Sequence, residues 1–307
     1  MRKILVWLSI VLCPIVLKAQ EEVADSIRVQ LFKDSLENTF TYQHGKITFP
    51  NDLGILNVPE GFKYLDSVQA ERVIKDLWGN PHGSGTLGMI MPENLGVMDA
   101  WAFIITYDNL GHVKDDDAED IDYDEMLVEL QKETNENNAE REKKGFDKIT
   151  FVGWAAKPYY DKEKNTLHWA KELKFGDDDE NHTLNYNVRI LGRKGVMVLN
   201  AVATMGELEV VQQNIEKVQA SVAFNDGNKY SDFNPDIDEV AAWTIGGLVA
   251  GKVLAKVGFF ALFLKYIKVI GLAIAAAGGA IWKWIKGKRE SGRITVSNTD
   301  TDSSNQA

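Results

Sequence analysis

The residues in this chain most suited to chemistry are polar side chains set where strands normally carry apolar or plain surface residues. In Leu184-Asn-Tyr-Asn-Val-Arg189, the residues Asn185, Asn187 and Arg189 alternate with Leu184, Tyr186 and Val188, so they share one strand face. Two amides and a guanidinium in a row can hydrogen-bond a carboxylate or a sugar. His168 alternates opposite Trp169 on a segment expected to form a neighbouring strand, and Asp161 and Arg193 stand at strand ends nearby in sequence. Asp161, His168, Asn185, Asn187, Arg189 and Arg193 are therefore the candidate ligand-binding residues. A competing reading makes them a solvated sheet face or a polar network tying strands to a covering helix.

Other chemistries find less support. His82, His112, His168 and Asp115 to Asp117 are of types that suit zinc or manganese, yet no His-Glu-x-x-His or similar spacing joins them, so no metal ligands and no cofactor are assigned. The acidic tract Asp115 to Glu125 would need glycine at 120 and glutamate at 126 to form a calcium-binding EF-hand loop; the chain has Asp120 and Met126. The loop Trp78 to Gly85 is rich in glycine but lacks the lysine of a phosphate loop, and Gly83-Ser-Gly85 is not a serine-nucleophile elbow. The single cysteine, Cys13, lies in an apolar N-terminal run. Removal of that run would exclude disulfides, a thiol nucleophile and thiolate metal sites together. A net charge of −11, with no basic stripe in the soluble part, argues against nucleic acid as a partner.

The elements that must position these residues follow from periodicity. Val23, Ile27, Leu31 and Phe32 suggest an amphipathic helix; Ile47, Phe49, Leu53 and Ile55 around Pro50-Asn-Asp52 suggest a hairpin. Asp66 with Gln69, and Thr204 with Glu207, have the spacing of capping boxes. The second opens a helix whose Leu208, Val211, Ile215, Val218 and Val222 form an apolar stripe. Trp101 to Tyr107 reads as a buried strand, and Asp122 and Glu125 as the start of a helix that Gly145 stops. Alternation at 167–175, 184–190 and 196–204 gives three antiparallel strands, preceded by a fourth at Ile149 to Trp154. The fold class is α+β, a mainly antiparallel sheet covered by helices.

The two ends read differently. Residues 1–20 have the charged start, apolar run and short polar end of a signal peptide, with cleavage expected near Ala19 or Gln20. The extracytoplasmic α+β domain is expected over 21–224 and a linker over 225–236. An amphipathic membrane-proximal helix carrying Lys252 and Lys256 is expected over 237–264, lying on the membrane or packed on the domain. Residues 266–284 read as a transmembrane helix. Val269 to Trp282 is free of charge over about 21 Å, and Tyr266, Trp282 and Trp284 suit the interface. The basic, then polar, tail at 285–307 belongs in the cytoplasm by its positive charge. A two-span arrangement remains the alternative.

The chain resembles the bacterial membrane-anchored proteins grouped as domain of unknown function 2167. The resemblance rests on Trp78-Gly-Asn-Pro81, Leu87-Gly-Met89, Val113-Lys-Asp-Asp-Asp-Ala118, Gly153-Trp-Ala155 with Pro158-Tyr-Tyr-Asp161, Leu167-His-Trp-Ala-Lys171, Leu184 to Arg189, Leu191-Gly-Arg193 and Leu248-Val-Ala-Gly251. It implies a secreted domain with a C-terminal membrane anchor, and it carries over no catalytic residue. The functional expectation is an anchored interaction or ligand-binding module at the cell membrane, single-pass, with its soluble domain on the periplasmic side. Its partners would be the lipid bilayer and another membrane protein meeting the C-terminal helices. The alternative is an envelope enzyme, metal-dependent if the histidines gather.

Overall fold

The structure, a computed structural model, describes residues 27–80, 85–98 and 101–251. These belong to one compact unit. The signal peptide expected at 1–20, the transmembrane helix at 266–284 and the tail at 285–307 lie outside the described residues, as does His82. Among the described residues, no helix is long and apolar enough to cross a membrane.

Helix α1 covers residues 27–37. Strands β1 (Lys46–Thr48) and β2 (Gly54–Asn57) form the expected hairpin, Ile47 opposite Leu56. Then come β3 (Phe62–Asp66), α2 (Ser67–Arg72), β4 (Thr86–Pro92) and β5 (Ala102–Asp108). Helix α3 (Tyr123–Lys143) leads to the run β6 (Ile149–Asp161), β7 (Thr166–Phe175), β8 (Thr183–Leu191) and β9 (Val196–Thr204). The chain continues through α4 (Leu208–Ser221), β10 (Val222–Phe224) and α5 (Ile245–Ala250). The main sheet has seven strands in the order β3-β4-β5-β9-β8-β7-β6, every neighbouring pair antiparallel, and β1-β2-β10 form a small second sheet.

Local chemistry sets the helix starts. Asp66 accepts from the Gln69 backbone N–H at 3.0 Å, and Asp122 accepts from the N–H groups of Asp124 and Glu125, both at 3.0 Å. The Thr204–Glu207 capping box is present in full. Each such cap satisfies N–H groups that the first helical turn leaves without partners.

One face of the main sheet is sealed. Phe103, Leu184, Val188 and Leu199 meet Val211, Ile215 and Val218 of α4, together with Phe49, Leu56 and Phe224 of the small sheet. Full burial of such a side chain is worth roughly 1.5–3 kcal/mol, so this layer carries much of the fold's stability. The opposite face has two separate covers. At the β3 end, Ala70 and Val73 pack on Leu65, Met89 and Ala102. At the β6 end, Met126 and Leu130 of α3 and Ile245, Leu248 and Val249 of α5 pack on Phe151, Leu167 and Trp169.

Three expectations need correction. The chain does not leave the domain at Phe224 through a free linker over 225–236. Asn225 donates to the Leu53 carbonyl, Arg193 to the Asn228 carbonyl, and Arg193 Nε meets Asp238 at 2.7 Å, where Asp238 is 1 % exposed. The helix expected over 237–264 starts only at Ile245, because Thr244 caps it and residues 237–244 are not helical. His112 holds that stretch by backbone bonds with Glu239 and Ala241, and Asp117 accepts from the first N–H groups of α5 at 3.0 and 3.1 Å. Finally, Ile27, Leu31 and Phe32 of α1 are exposed, so that part of the expected apolar stripe is not buried; Leu36 and Phe40 make the contact instead.

Candidate functional site

Between the two covers on the second sheet face, the middle strands form the floor of a groove. Side chains directly opposite in an antiparallel pair share a face. The register sets Asn187 opposite Asn200, Arg189 opposite Val198, and Val198 opposite Thr106. Asp108 ends β5 on the same face by alternation with Ile104 and Thr106, and Gly195 lets the neighbouring chain pass close to it: a Cβ there would lie 2.2 Å from the Asp108 carbonyl oxygen. The result is a groove of about 340 Å³. Its floor is Ile104, Thr106, Asp108, Asn187, Arg189, Val198 and Asn200, and Thr86 with Glu71, Ile74 and Lys75 forms one wall.

That wall is shaped by an irregular helix. After Arg72 the chain widens into a π-turn over Val73–Leu77, with the Trp78 N–H donating to the Val73 carbonyl five residues back. Such single wide turns recur at functional sites. Here the turn carries Ile74 and Lys75 to the groove while Val73 stays buried in the core.

The floor holds an ion pair. Arg189, its side chain 19 % exposed, reaches Asp108 at 3.2 Å through one terminal nitrogen and stacks over the Trp169 ring at 5.4 Å. Burial lowers its proton affinity, and Asp108 offsets part of that. Lys171 on β7 is opposite Asn185 and lies 5.4 Å from the Phe151 ring. Burial, and then the neighbouring Arg189 charge, bring its pKa down to about 8. Three buried polar atoms of this region have no hydrogen-bond partner: Arg189 Nε, Asn200 Oδ1 and Trp169 Nε1. Buried polar groups are nearly always paired; atoms away from the groove, among them His112 Nδ1 and His168 Nδ1, are likewise without a partner.

The structure brings together only part of the predicted set. Asn185, Asn187 and Arg189 do share the open face, Asn187 donating to Asn185 Oδ1 at 2.6 Å. His168 falls on the sealed face, because its partner across the strands is Val188. There it stacks on Tyr159 at 4.7 Å with rings 2° from parallel, and its Nε2 meets Thr166 Oγ1 at 3.1 Å. Asp161 closes the β6–β7 turn by accepting from the N–H groups of Glu163 and Lys164. Arg193 holds Asp238, far along the chain from the groove residues. The gathering of histidines fails as well. His112 is sandwiched between Tyr230 and Phe233, with centroids at 4.5 and 3.9 Å, whereas His168 lies beneath α4. Among the described residues, no three His, Cys, Asp or Glu side chains are placed to share a metal ion.

Asp108, Lys171 and Asn200 were not among the predicted residues. Asn200 is the one signal the sequence offers, a lone amide in the apolar run Val196-Met-Val-Leu-Asn-Ala-Val202.

The fold and groove together define an α+β domain with a polar trench on one face of an antiparallel sheet. The family described as Protein of unknown function (DUF2167) matches residues 41–279, and the chain belongs to it. No curated protein matches the chain. Among solved structures it is similar to cyanobacterial PsbP (CyanoP) from Synechocystis sp. PCC 6803, at 11% identity and a TM-score of 0.36, over 60% of this chain and 93% of that one.

Proposed function

We propose that this protein is a ligand-binding module held at the outer face of the cell membrane, and that the trench between the two helix covers takes a small polar ligand. The observation that carries this reading is the two unpaired buried atoms, Arg189 Nε and Asn200 Oδ1, of residues that line a groove built by β5, β8 and β9. Clefts of a few hundred Å³ with a few convergent polar groups are the usual form of small-molecule sites. The membrane placement rests on the sequence: the charge-free run Val269 to Trp282, the flank Lys283, Lys286, Lys288, Arg289 and Arg293, and the N-terminal signal pattern. The small residues Ala275 to Ala280 suit packing against a second membrane helix.

Thermal shift of the full chain in non-ionic detergent, against a panel of sugars, sugar acids, amino acids and hydroxy acids, tests the reading. At least one compound should raise the midpoint of the native protein and fail to raise that of Asn187→Leu with Asn200→Leu. A flat response across the whole panel would count against a ligand site. For topology, a reporter fused after Ala307 should be active in the cytoplasm; activity only outside would overturn the single-span arrangement.

A further inference from the structure

Taking the trench as the ligand site proposed above, on which this rests, we infer that it selects a neutral sugar ring over the uronate and amino-sugar forms of the same ring. Charge balance carries half of the inference. Lys75 and Arg189 among the lining residues are matched by Glu71 and Asp108, and the enclosed pair is already made, with Arg189 3.2 Å from Asp108. Lys75 stands exposed on the wall, where water and salt screen it. A carboxylate or an ammonium entering the trench therefore gives up hydration without finding a spare counter-charge. Taking one from the pair would leave Arg189 or Asp108 without its partner, which is costly for a group shielded from water. A neutral ligand meets neither cost.

The hydrogen-bonding chemistry left over carries the other half. Arg189 Nε is a donor and Asn200 Oδ1 an acceptor, and neither has a partner. They belong to adjacent strands and stand one diagonal step apart, since Arg189 is opposite Val198 and Asn187 opposite Asn200. A hydroxyl both accepts and donates, whereas a carboxylate only accepts and an ammonium only donates. Both atoms lie just beneath the floor, closed to solvent, so rotation of the two side chains would bring them to ligand hydroxyls. Around them, Asn187, Thr86 and Thr106 supply neutral donors and acceptors, and Ile74, Ile104 and Val198 supply aliphatic surface. A sugar ring is divided in the same way, with hydroxyls around its edge and C–H groups on its faces. A cavity of about 340 Å³ lies at the small end of ligand clefts and suits a single ring.

Isothermal titration of the full chain in non-ionic detergent decides the matter, with glucose and galactose each run beside its own uronate and its own 2-amino form. At about pH 6 the uronates are anionic and the amino sugars cationic. At least one of the two hexoses should bind about tenfold or more tightly than both of its charged forms, with the same affinity in low and high salt. Asn200→Leu, which removes the unpaired acceptor, should weaken that hexose about tenfold, and Thr106→Val severalfold; if Asn200→Leu fails to fold, Thr106→Val carries the loss. Glu71→Gln leaves the lining one positive charge in excess and should bring the uronate severalfold closer to its hexose. A uronate or an amino sugar binding the native protein as tightly as its hexose would overturn the selection of a neutral ring while leaving the trench a ligand site. Hexose binding untouched by Asn200→Leu and Thr106→Val would place the sugar elsewhere and overturn the inference as well. So would failure of both hexoses to bind; a thermal shift by a charged compound in the wider panel would then preserve the broader reading, and a flat panel would end both.

Discussion

Strands β7 and β8 between them place polar residues on both faces of the main sheet, and the two faces surround them differently. On the α4 side, His168 and Thr166 are buried and Gln219 of α4 reaches them: Thr166 Oγ1 meets both His168 Nε2 and Gln219 Nε2, while His168 Nδ1 has no partner. On the other side, Arg189 and Asn187 lie in the groove between two covers, and Arg189 Nε has no partner. Residue type does not separate the two groups. The groove does: it opens at Asn187 and Arg189 and not at His168 or Thr166.

The contrast breaks most clearly in the core. Leu184, fully buried on the sealed face, should lose about 2–5 kcal/mol of stability as Leu184→Ala, whereas Asn187→Leu on the open face should change stability by less than about 1 kcal/mol. Urea unfolding of both variants checks the pair, and equal losses would erase the distinction between the faces.

Acid is the next lever. Burial brings the His168 pKa down to about 4 from an ordinary 6.5, so the unfolded chain takes up this proton before the folded one does. The stability tied to neutral His168 is present above pH 6.5 and is lost as pH falls through 4, about 3 kcal/mol in all. Unfolding measured from pH 7 to pH 4 should be flatter for His168→Gln than for the native protein, and parallel curves would show that the ring is not sealed.

Lys171 tests the open side with the opposite sign. Its folded pKa of about 8 lies below the ordinary 10.5, so its charge destabilises the fold below pH 8 and that penalty fades as pH rises toward 10.5. Lys171→Met should stabilise the protein by something on the order of 1 kcal/mol at pH 7. The gain should vanish near pH 10.5 in thermal melts; a destabilised variant at pH 7 would mean that the lysine is already neutralised. The smallest effect concerns the lid of the sealed face. Thr204→Ala removes half of the capping box ahead of α4 and should cost about 1 kcal/mol, read by urea midpoint, with no change in ligand affinity at the trench.

Much of this architecture was legible in the residues. The alternation at 184–190, the capping pairs Asp66–Gln69 and Thr204–Glu207, and the stripe Val211, Ile215, Val218 are local signals, and each names its own element. Two of the groove residues, Asn187 and Arg189, were likewise readable, because one strand's alternation places them together. The failures are all matters of pairing. Which face His168 joins depends on the β7–β8 register, and nothing in either strand alone fixes Val188 as its partner. Asp108 and Asn200 reach the site because β5 pairs with β9, strands almost a hundred residues apart in sequence. The segment 237–264 misled for a related reason. Its apolar content suggested one long helix, yet residues 237–244 are non-helical and held by His112 and Arg193, while Asp117 accepts from the first N–H groups of α5, three anchors from distant parts of the chain.

The π-turn at Val73–Leu77 gives the trench a genetic dependence. A wide turn holds one residue more than an α-helical turn, so loss of a single codon within it would let the helix close to regular geometry. Every later side chain would then swing by about 100° around the axis, and Trp78 and the glycine-rich loop beyond would be re-aimed with it. Substitutions could adjust the wall gradually, but its presence at this width is set by an insertion or deletion, a kind of change that a lineage acquires or loses in one step.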